Sequence, residues 1–302
     1  MGANDGDDEP EMHVLPEGCV ANVLSFTGPR DAGRLSLVSS TFKSASESDA
    51  VWEHYLPNDY RSIVSSSSDS SHLLAGANSK KELYLRLCDA PILIDDGRKS
   101  FSLDKFSGKK CYMLAARDLM IVWGDTPRYW RWTSELKSRF DEVAELIGVC
   151  WLEICGKINV RMLSPDTLYG AYFVFKTTAG AYGFDQPVDV TVGLAGTEGR
   201  RRSVYLDVEG DRQQHYQIVV RRVGIFNHSR AVGLQAPLPT TREKNDDDHP
   251  KEREDGWSEI EMGEFFVNGD DDGDFEMKIL EVNGGNWKGG LITQGIEIRP
   301  KY

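Results

Sequence analysis

The sequence predicts an α+β protein in two parts: a small three-helix unit, then an antiparallel β-sandwich or jelly roll. Three observations predict it. Apolar residues recur at helical spacing over roughly residues 14 to 60. From about residue 92 the pattern switches to alternation of apolar and polar residues. Between them lies the serine run SSSSDSS, Ser65 to Ser71, which predicts a flexible linker. The 302 residues, 40% hydrophobic and 27% charged, suffice for a sizeable buried core.

The first helix is predicted in LPEGCVANVLSF, where Leu15, Cys19, Val20, Val23 and Leu24 form an apolar set and Pro16 sits near the start. Gly28-Pro29 breaks the chain, and RDAGRLSLVSSTF predicts a second helix with Ala32, Leu35, Val38 and Phe42 inward. DAVWEHYL predicts a third, capped by Ser48 and stopped by Pro57. So small a unit buries little area by itself and needs a partner to finish its core. After the serine run, SKKELYLRLCD predicts an amphipathic helix with Leu83, Tyr84 and Leu87 inward.

The strands follow. Val188, Val190, Val192 and Leu194 alternate with Asp189, Thr191 and Gly193. Phe275, Met277 and Ile279 alternate with Glu276 and Lys278, and Ile296 and Ile298 with Glu297 and Arg299. Further strands are predicted at 110–115, 119–124, 150–158, 171–177, 203–208, 216–223 and 258–267. About ten short strands with glycine-rich turns predict antiparallel layers. The charged stretch 239–256 reads as a solvated loop.

A net charge of -13 disfavours generic nucleic-acid binding, and the arginines at 200–202 and 221–222 read as strand ends or loops. No stretch approaches the roughly 18 apolar residues of a membrane span. The acidic start MGANDGDDEPEM predicts neither signal nor transit peptide. Five scattered cysteines predict packed thiols in a reducing compartment, not a disulfide framework or zinc site. NGDDDGD has the opening of a calcium loop, but its twelfth position is Ile279 where a bidentate Glu is needed. NGGNWKGG lacks the ending of a phosphate loop, and neither HExxH nor GxSxG occurs. No catalytic residue, metal ligand or cofactor is predicted.

The helical unit resembles an F-box. The resemblance rests on Leu15-Pro16, Val23-Leu24-Ser25-Phe26, Pro29-Arg30-Asp31-Ala32, Val38-Ser39, Phe42 and Trp52. It implies docking on an SKP-type adaptor, and through it on cullin, in a ubiquitin ligase. The residues carried over as adaptor-facing are Leu15, Pro16, Val23, Leu24, Pro29, Val38 and Trp52. The rest resembles the phloem protein 2, or tobacco-type lectin, domain of plants. It does so over ARDLMIVWGDTPRYWRW, SRFDEVAELIGVCWLEICGKI, DGWSEIEMGEFF and EMKILEVNGGNWKGGLITQGIEIRP. This resemblance implies a β-sandwich and, in lectin members, binding of N-acetylglucosamine oligomers or N-glycan cores in cytoplasm and nucleus. Residues 1–11 are then an acidic tail, 12–57 the F-box, 58–90 a linker and connecting helix, and 91–302 the lectin-like domain.

The resemblance implies a carbohydrate site at Trp123, Trp130, Asp274 and Glu281, with Asp274 standing where a longer Glu is usual. In WGDTPRYWRW an extended backbone puts Trp130 and Trp132 on one side and Tyr129 on the other. Trp130 is expected exposed, and Trp132, Trp151, Trp257 and Trp287 in the core. Two functions follow: a ligase receptor whose target is an unknown, glycosylated protein, or a free nucleocytoplasmic lectin. Neither calls for nucleic acid or membrane.

Overall fold

The computed structural model describes residues 15–67, 76–207, 248–282 and 284–302. Among these, six short helices precede two antiparallel sheets. The predicted strand at 216–223, most of the serine run and the first part of the 239–256 loop lie outside the described residues.

Helices α1 (Glu17–Ser25), α2 (Pro29–Leu35), α3 (Ser40–Ser46) and α4 (Asp49–Tyr55) form the first unit. The predicted second helix is thus split into α2 and α3. Ser39 adopts an extended backbone and its hydroxyl accepts from the Phe42 N–H at 3.3 Å, so it starts a new helix instead of continuing the old one. In α1 the buried residues are Val20, Ala21 and Leu24, while Cys19 and Val23 face outward.

α5 (Tyr60–Ser65) and α6 (Lys80–Asp89) join this unit to the sheets. Ser79 caps α6, accepting from the Glu82 N–H at 3.1 Å, and Leu83, Tyr84 and Leu87 are buried as their spacing predicts. The junction is dense. Trp52 packs on Tyr84 with ring centroids 5.2 Å apart, and the Tyr84 hydroxyl donates to the Asp104 carbonyl at 3.0 Å. The nearly buried ammonium of Lys110 reaches Asp59 at 2.9 Å. Lys80 pairs with Glu53 at 2.9 Å and Lys81 with Glu47 at 2.6 Å. The apolar core runs without a break from Val20 of α1 into the sandwich.

The strands are β1 (Ile92–Ile94), β2 (Lys99–Leu103), β3 (Lys110–Ala115), β4 (Met120–Ile121), β5 (Trp130–Thr133), β6 (Val143–Leu146), β7 (Leu152–Asn159), β8 (Thr167–Tyr182), β9 (Val188–Leu194), β10 (Arg200–Val204), β11 (Lys251–Glu252), β12 (Ser258–Val267), β13 (Asp274–Glu281) and β14 (Gly289–Pro300). The larger sheet runs β1-β2-β3-β14-β8-β12-β11, with β6 also on β14 and β5 on β6. The smaller runs β10-β9-β13-β7-β4. They meet face to face: Phe265 of β12 lies 4.0 Å from Phe275 of β13 between ring centroids. A Cβ on Gly156 would sit 2.9 Å from Ile296 Cδ1, so the sheets approach closely there.

β8 is buried on both faces from Tyr169 to Phe175, where alternation predicts a half-exposed strand. The cause is a second small core on the outer face of the larger sheet, built from Met113, Ala115, Phe140, Val143, Val174 and Trp257. The Trp257 indole donates to the Lys137 carbonyl at 3.1 Å, and Lys176 lies 4.4 Å over its ring. The run at 200–202 is a strand: Arg201 is paired with Asp189, and Arg202 with Asp248 at 2.7 Å.

Candidate functional site

Exposed large apolar side chains cluster in two regions, with Leu136, Phe266 and Tyr302 scattered elsewhere. On the helical unit these are Leu15, Val23, Phe26, Leu37 and Val38, the last 66% accessible. They lie before α1, at its C-terminal end and in the α2–α3 connection. Pro16 is exposed beside them. Three other residues expected to face a partner do not: Leu24, Pro29 and Trp52 are buried. The Trp52 indole donates to the Ser46 carbonyl at 2.7 Å and its ring meets Tyr55 edge-on at 5.5 Å. These three shape the unit from within, because helices this short need their few large side chains for packing.

The second region is one end of the sandwich. Val122 N–H donates to the Glu153 carbonyl at 3.1 Å, which carries the β4 pairing up to Trp123. There the chain turns sharply. Trp123 has a φ of 59°, a left-handed backbone that costs a bulky residue on the order of 1–3 kcal/mol. Gly124 N–H bonds back to Ile121 at 2.9 Å and Thr126 N–H to Trp123 at 2.9 Å, fixing the turn. The Trp123 ring projects outward, 45% accessible, and tilts against Tyr129 with centroids 5.3 Å apart.

Trp130, expected exposed, is 2% accessible. Its indole donates to the Val122 carbonyl at 3.2 Å, and Trp132 donates to Gly124 at 3.0 Å. The two rings brace the turn that displays Trp123. Their common side of β5 is the inward one, as alternation places them together. Trp132 is half-buried against the core, with the Arg117 guanidinium 3.6 Å over its ring.

The two acidic positions part company. β13 pairs with β7 so that Asp274 faces Asn159 and Glu281 faces Leu152. They stand at opposite ends of one strand, roughly 23 Å apart at about 3.3 Å per residue. Asp274 accepts from Asn159 Nδ2 at 3.1 Å, far from Trp123. Glu281 is at the Trp123 end but turned inward. It pairs with the buried ammonium of Lys288 and accepts from Gly284 N–H at 3.1 Å. Its place is to hold the turn at 284–288, not to reach a ligand directly.

Sequence reasoning missed three rings. Trp151, Trp287 and Tyr182 are exposed at the same end, where core packing was expected for the two tryptophans. Trp151 donates to Glu153 Oε2 at 3.0 Å. The available signal was their surroundings: both tryptophans adjoin turns, at Ile147-Gly148 and NGGNWKGG, instead of lying inside an alternating run. Among the described residues no group of three or more His, Cys, Asp or Glu could hold a metal ion. None of their helices is long and apolar enough to cross a membrane.

A short helical unit with exposed apolar residues is packed through a continuous core on a sandwich that displays aromatic rings at one end. Family comparisons assign both halves. The F-box domain model matches residues 12–54 and the phloem protein 2 model residues 109–300. The chain belongs to the F-box proteins that carry a phloem protein 2 domain. It is 44% identical to Arabidopsis thaliana F-box protein PP2-B1, covering 95% of this chain and 89% of that one. It is 45% identical to F-box protein At2g02240 of the same plant, covering 95% and 79% respectively. Among solved structures, a xylan-binding domain from Paenibacillus barcinonensis aligns with a TM-score of 0.27 at 10% identity, over 62% of this chain and 85% of that one, too slight a likeness to carry weight.

Proposed function

We infer that the protein is the substrate-recognition subunit of an SKP-cullin-F-box ubiquitin ligase. Its helical end docks the adaptor, and through it cullin. Its sandwich recruits a target protein by an N-acetylglucosamine-containing glycan held at the Trp123 end. Ubiquitin transfer belongs to the other subunits. The observation that carries the docking half is the exposure of Leu15, Val23, Phe26, Leu37 and Val38 on so small a helical unit. Apolar surface of that kind is unfavourable in water and suits cover by a partner helix.

The glycan half is supported by Trp123. A strained backbone, two bracing indoles and an outward ring together give a fixed apolar platform, and the apolar C–H face of a sugar stacks on such a ring. The proposed compartments are cytoplasm and nucleus. The free cysteines accord with them: burial pushes the Cys88 thiol up to about 12 and the Cys155 thiol up to about 11, so both stay protonated at neutral pH.

Size-exclusion chromatography with purified SKP-type adaptor tests the docking half. The wild-type chain is expected to co-elute with the adaptor. The Val23→Asp, Val38→Asp double variant is expected to elute alone with its melting temperature kept, since both side chains are exposed. A wild type that elutes alone, or a double variant that still co-elutes, contradicts the reading.

A further inference from the structure

The turn NGGNWKGG is built in an unusual way. Lys288 is 1% accessible, and its ammonium is held by Glu281 and by the Asn286 carbonyl at 2.7 Å. Burying a charge pair carries a desolvation cost. The residue beside it, Trp287, is 55% accessible and so forgoes burial of a large ring. One turn thus bears both costs, and it carries an outward tryptophan next to a buried, paired lysine.

Its surroundings are shaped to match. Tyr182, also exposed, pairs with Gly289 across β8 and β14. A Cβ on Gly289 would lie 2.7 Å from the Tyr182 ring, so only glycine lets that ring lie down there. A Cβ on Gly148 would lie 3.1 Å from the Tyr182 hydroxyl and 3.6 Å from Trp287 Cε3. The two side chains therefore converge over Gly148. On the other side, Gly148 N–H points to the Tyr129 carbonyl at 3.4 Å, and Ile147 N–H to the same oxygen at 2.9 Å. Gly148 thus lies beside the Tyr182 and Trp287 side chains, and its backbone is bonded to that of Tyr129, whose ring meets Trp123.

We propose that Tyr182 and Trp287 form a second sugar-stacking subsite, which holds a further sugar of an N-acetylglucosamine oligomer whose first sugar stacks on Trp123. The inference rests on the glycan reading above. The chemistry of the surroundings selects the occupant. The Tyr182 hydroxyl, the exposed Asp125 and the Glu153 carboxylate offer partners for sugar hydroxyls. Among the described residues of these turns, Ile147 alone exposes a large aliphatic side chain, which disfavours an apolar protein helix as the occupant.

Isothermal titration calorimetry of the full chain tests it, with N-acetylglucosamine and its β-1,4-linked tetramer as ligands. The wild type is expected to bind the tetramer more tightly than the single sugar. Trp287→Ala is expected to weaken tetramer binding roughly three- to tenfold, one ring's stacking, while leaving single-sugar binding and the melting temperature unchanged. Tyr182→Ala follows the same pattern, and Trp123→Ala weakens both ligands. Unchanged tetramer affinity in Trp287→Ala, or equal loss for both ligands, overturns the subsite and leaves the lectin reading standing. A wild type that binds neither ligand overturns the lectin reading itself, and the subsite with it.

Discussion

Trp123 and Trp130 are seven residues apart and do opposite work. Trp123 holds a left-handed backbone and shows its ring to solvent, while Trp130 sits beneath and ties the turn by one hydrogen bond. Trp130→Ala should therefore cost on the order of 3–5 kcal/mol and lower the melting temperature clearly, as emptied ring sites do. Trp123→Ala should leave thermal melting nearly unchanged and weaken glycan binding. Differential scanning calorimetry of the pair checks this; equal melting temperatures would place Trp130 at the surface. Glu281 gives a second test at this scale. Glu281→Ala leaves the Lys288 ammonium buried without its carboxylate, a loss of roughly 3 kcal/mol, and Lys288→Met in the same chain should recover part of it. Chemical denaturation of the single and double variants reads the difference. That these residues divide so was only half legible in the sequence. Alternation puts Trp130 and Trp132 on one side, but it does not say which side faces in. Nothing local reveals that Asp274 and Glu281 lie at opposite ends of a strand, because that follows from the β7–β13 register.

At the scale of elements, periodicity located the pieces whose faces differ. α6, β9, β12 and β13 fall where their apolar spacing puts them. The elements it missed are of two kinds. β1, β2, β5, β6 and β11, and likewise α5, are too short for a period to register. The break between α2 and α3 depends on one hydroxyl, and capping carries no periodicity. Ser39→Ala should cost about 1 kcal/mol by removing the α3 cap, and Ser79→Ala a similar amount at α6. The two should differ in reach. Amide exchange in Ser39→Ala should rise mainly in the first four helices, whereas Ser79→Ala should also raise it at the junction through Tyr84 and Trp52. Confinement of both effects to their own helices would argue against a shared core.

Across the whole molecule, that junction changes what the two ends can do together. The serine run predicts a loose tether, yet the described residues on either side of it pack into one core through Trp52, Tyr84 and the Lys110–Asp59 pair. The ring displayed at the sandwich end and the exposed apolar residues of the helical unit are then carried by one continuous core. Acid should release this arrangement. Burial alone would raise the Glu297 carboxyl, but Arg139, Arg253 and Arg299 around it prevail and hold it below the usual range. The Lys278 hydrogen bond, with Lys157, lowers Glu276 similarly. A carboxylate depressed in the fold is protonated first in the unfolded chain. Its stabilisation is therefore full above the unfolded value, roughly 4.3, and is lost as pH falls through the folded one. Melting temperature should hold between neutrality and about pH 5 and fall steeply below about pH 4. Glu297→Gln should melt lower at neutral pH and show a shallower acid limb.

The central claim is that one chain binds adaptor and glycan at once, and a bridging capture tests it most directly. Beads bearing a β-1,4-linked N-acetylglucosamine oligomer are incubated with purified adaptor, with and without the full chain. The adaptor should be retained only when the wild-type chain is present. Retention should be lost with either Trp123→Ala or the Val23→Asp, Val38→Asp double variant. A chain that holds the beads or the adaptor singly but never both together, or that holds both with either variant in place, would contradict the account.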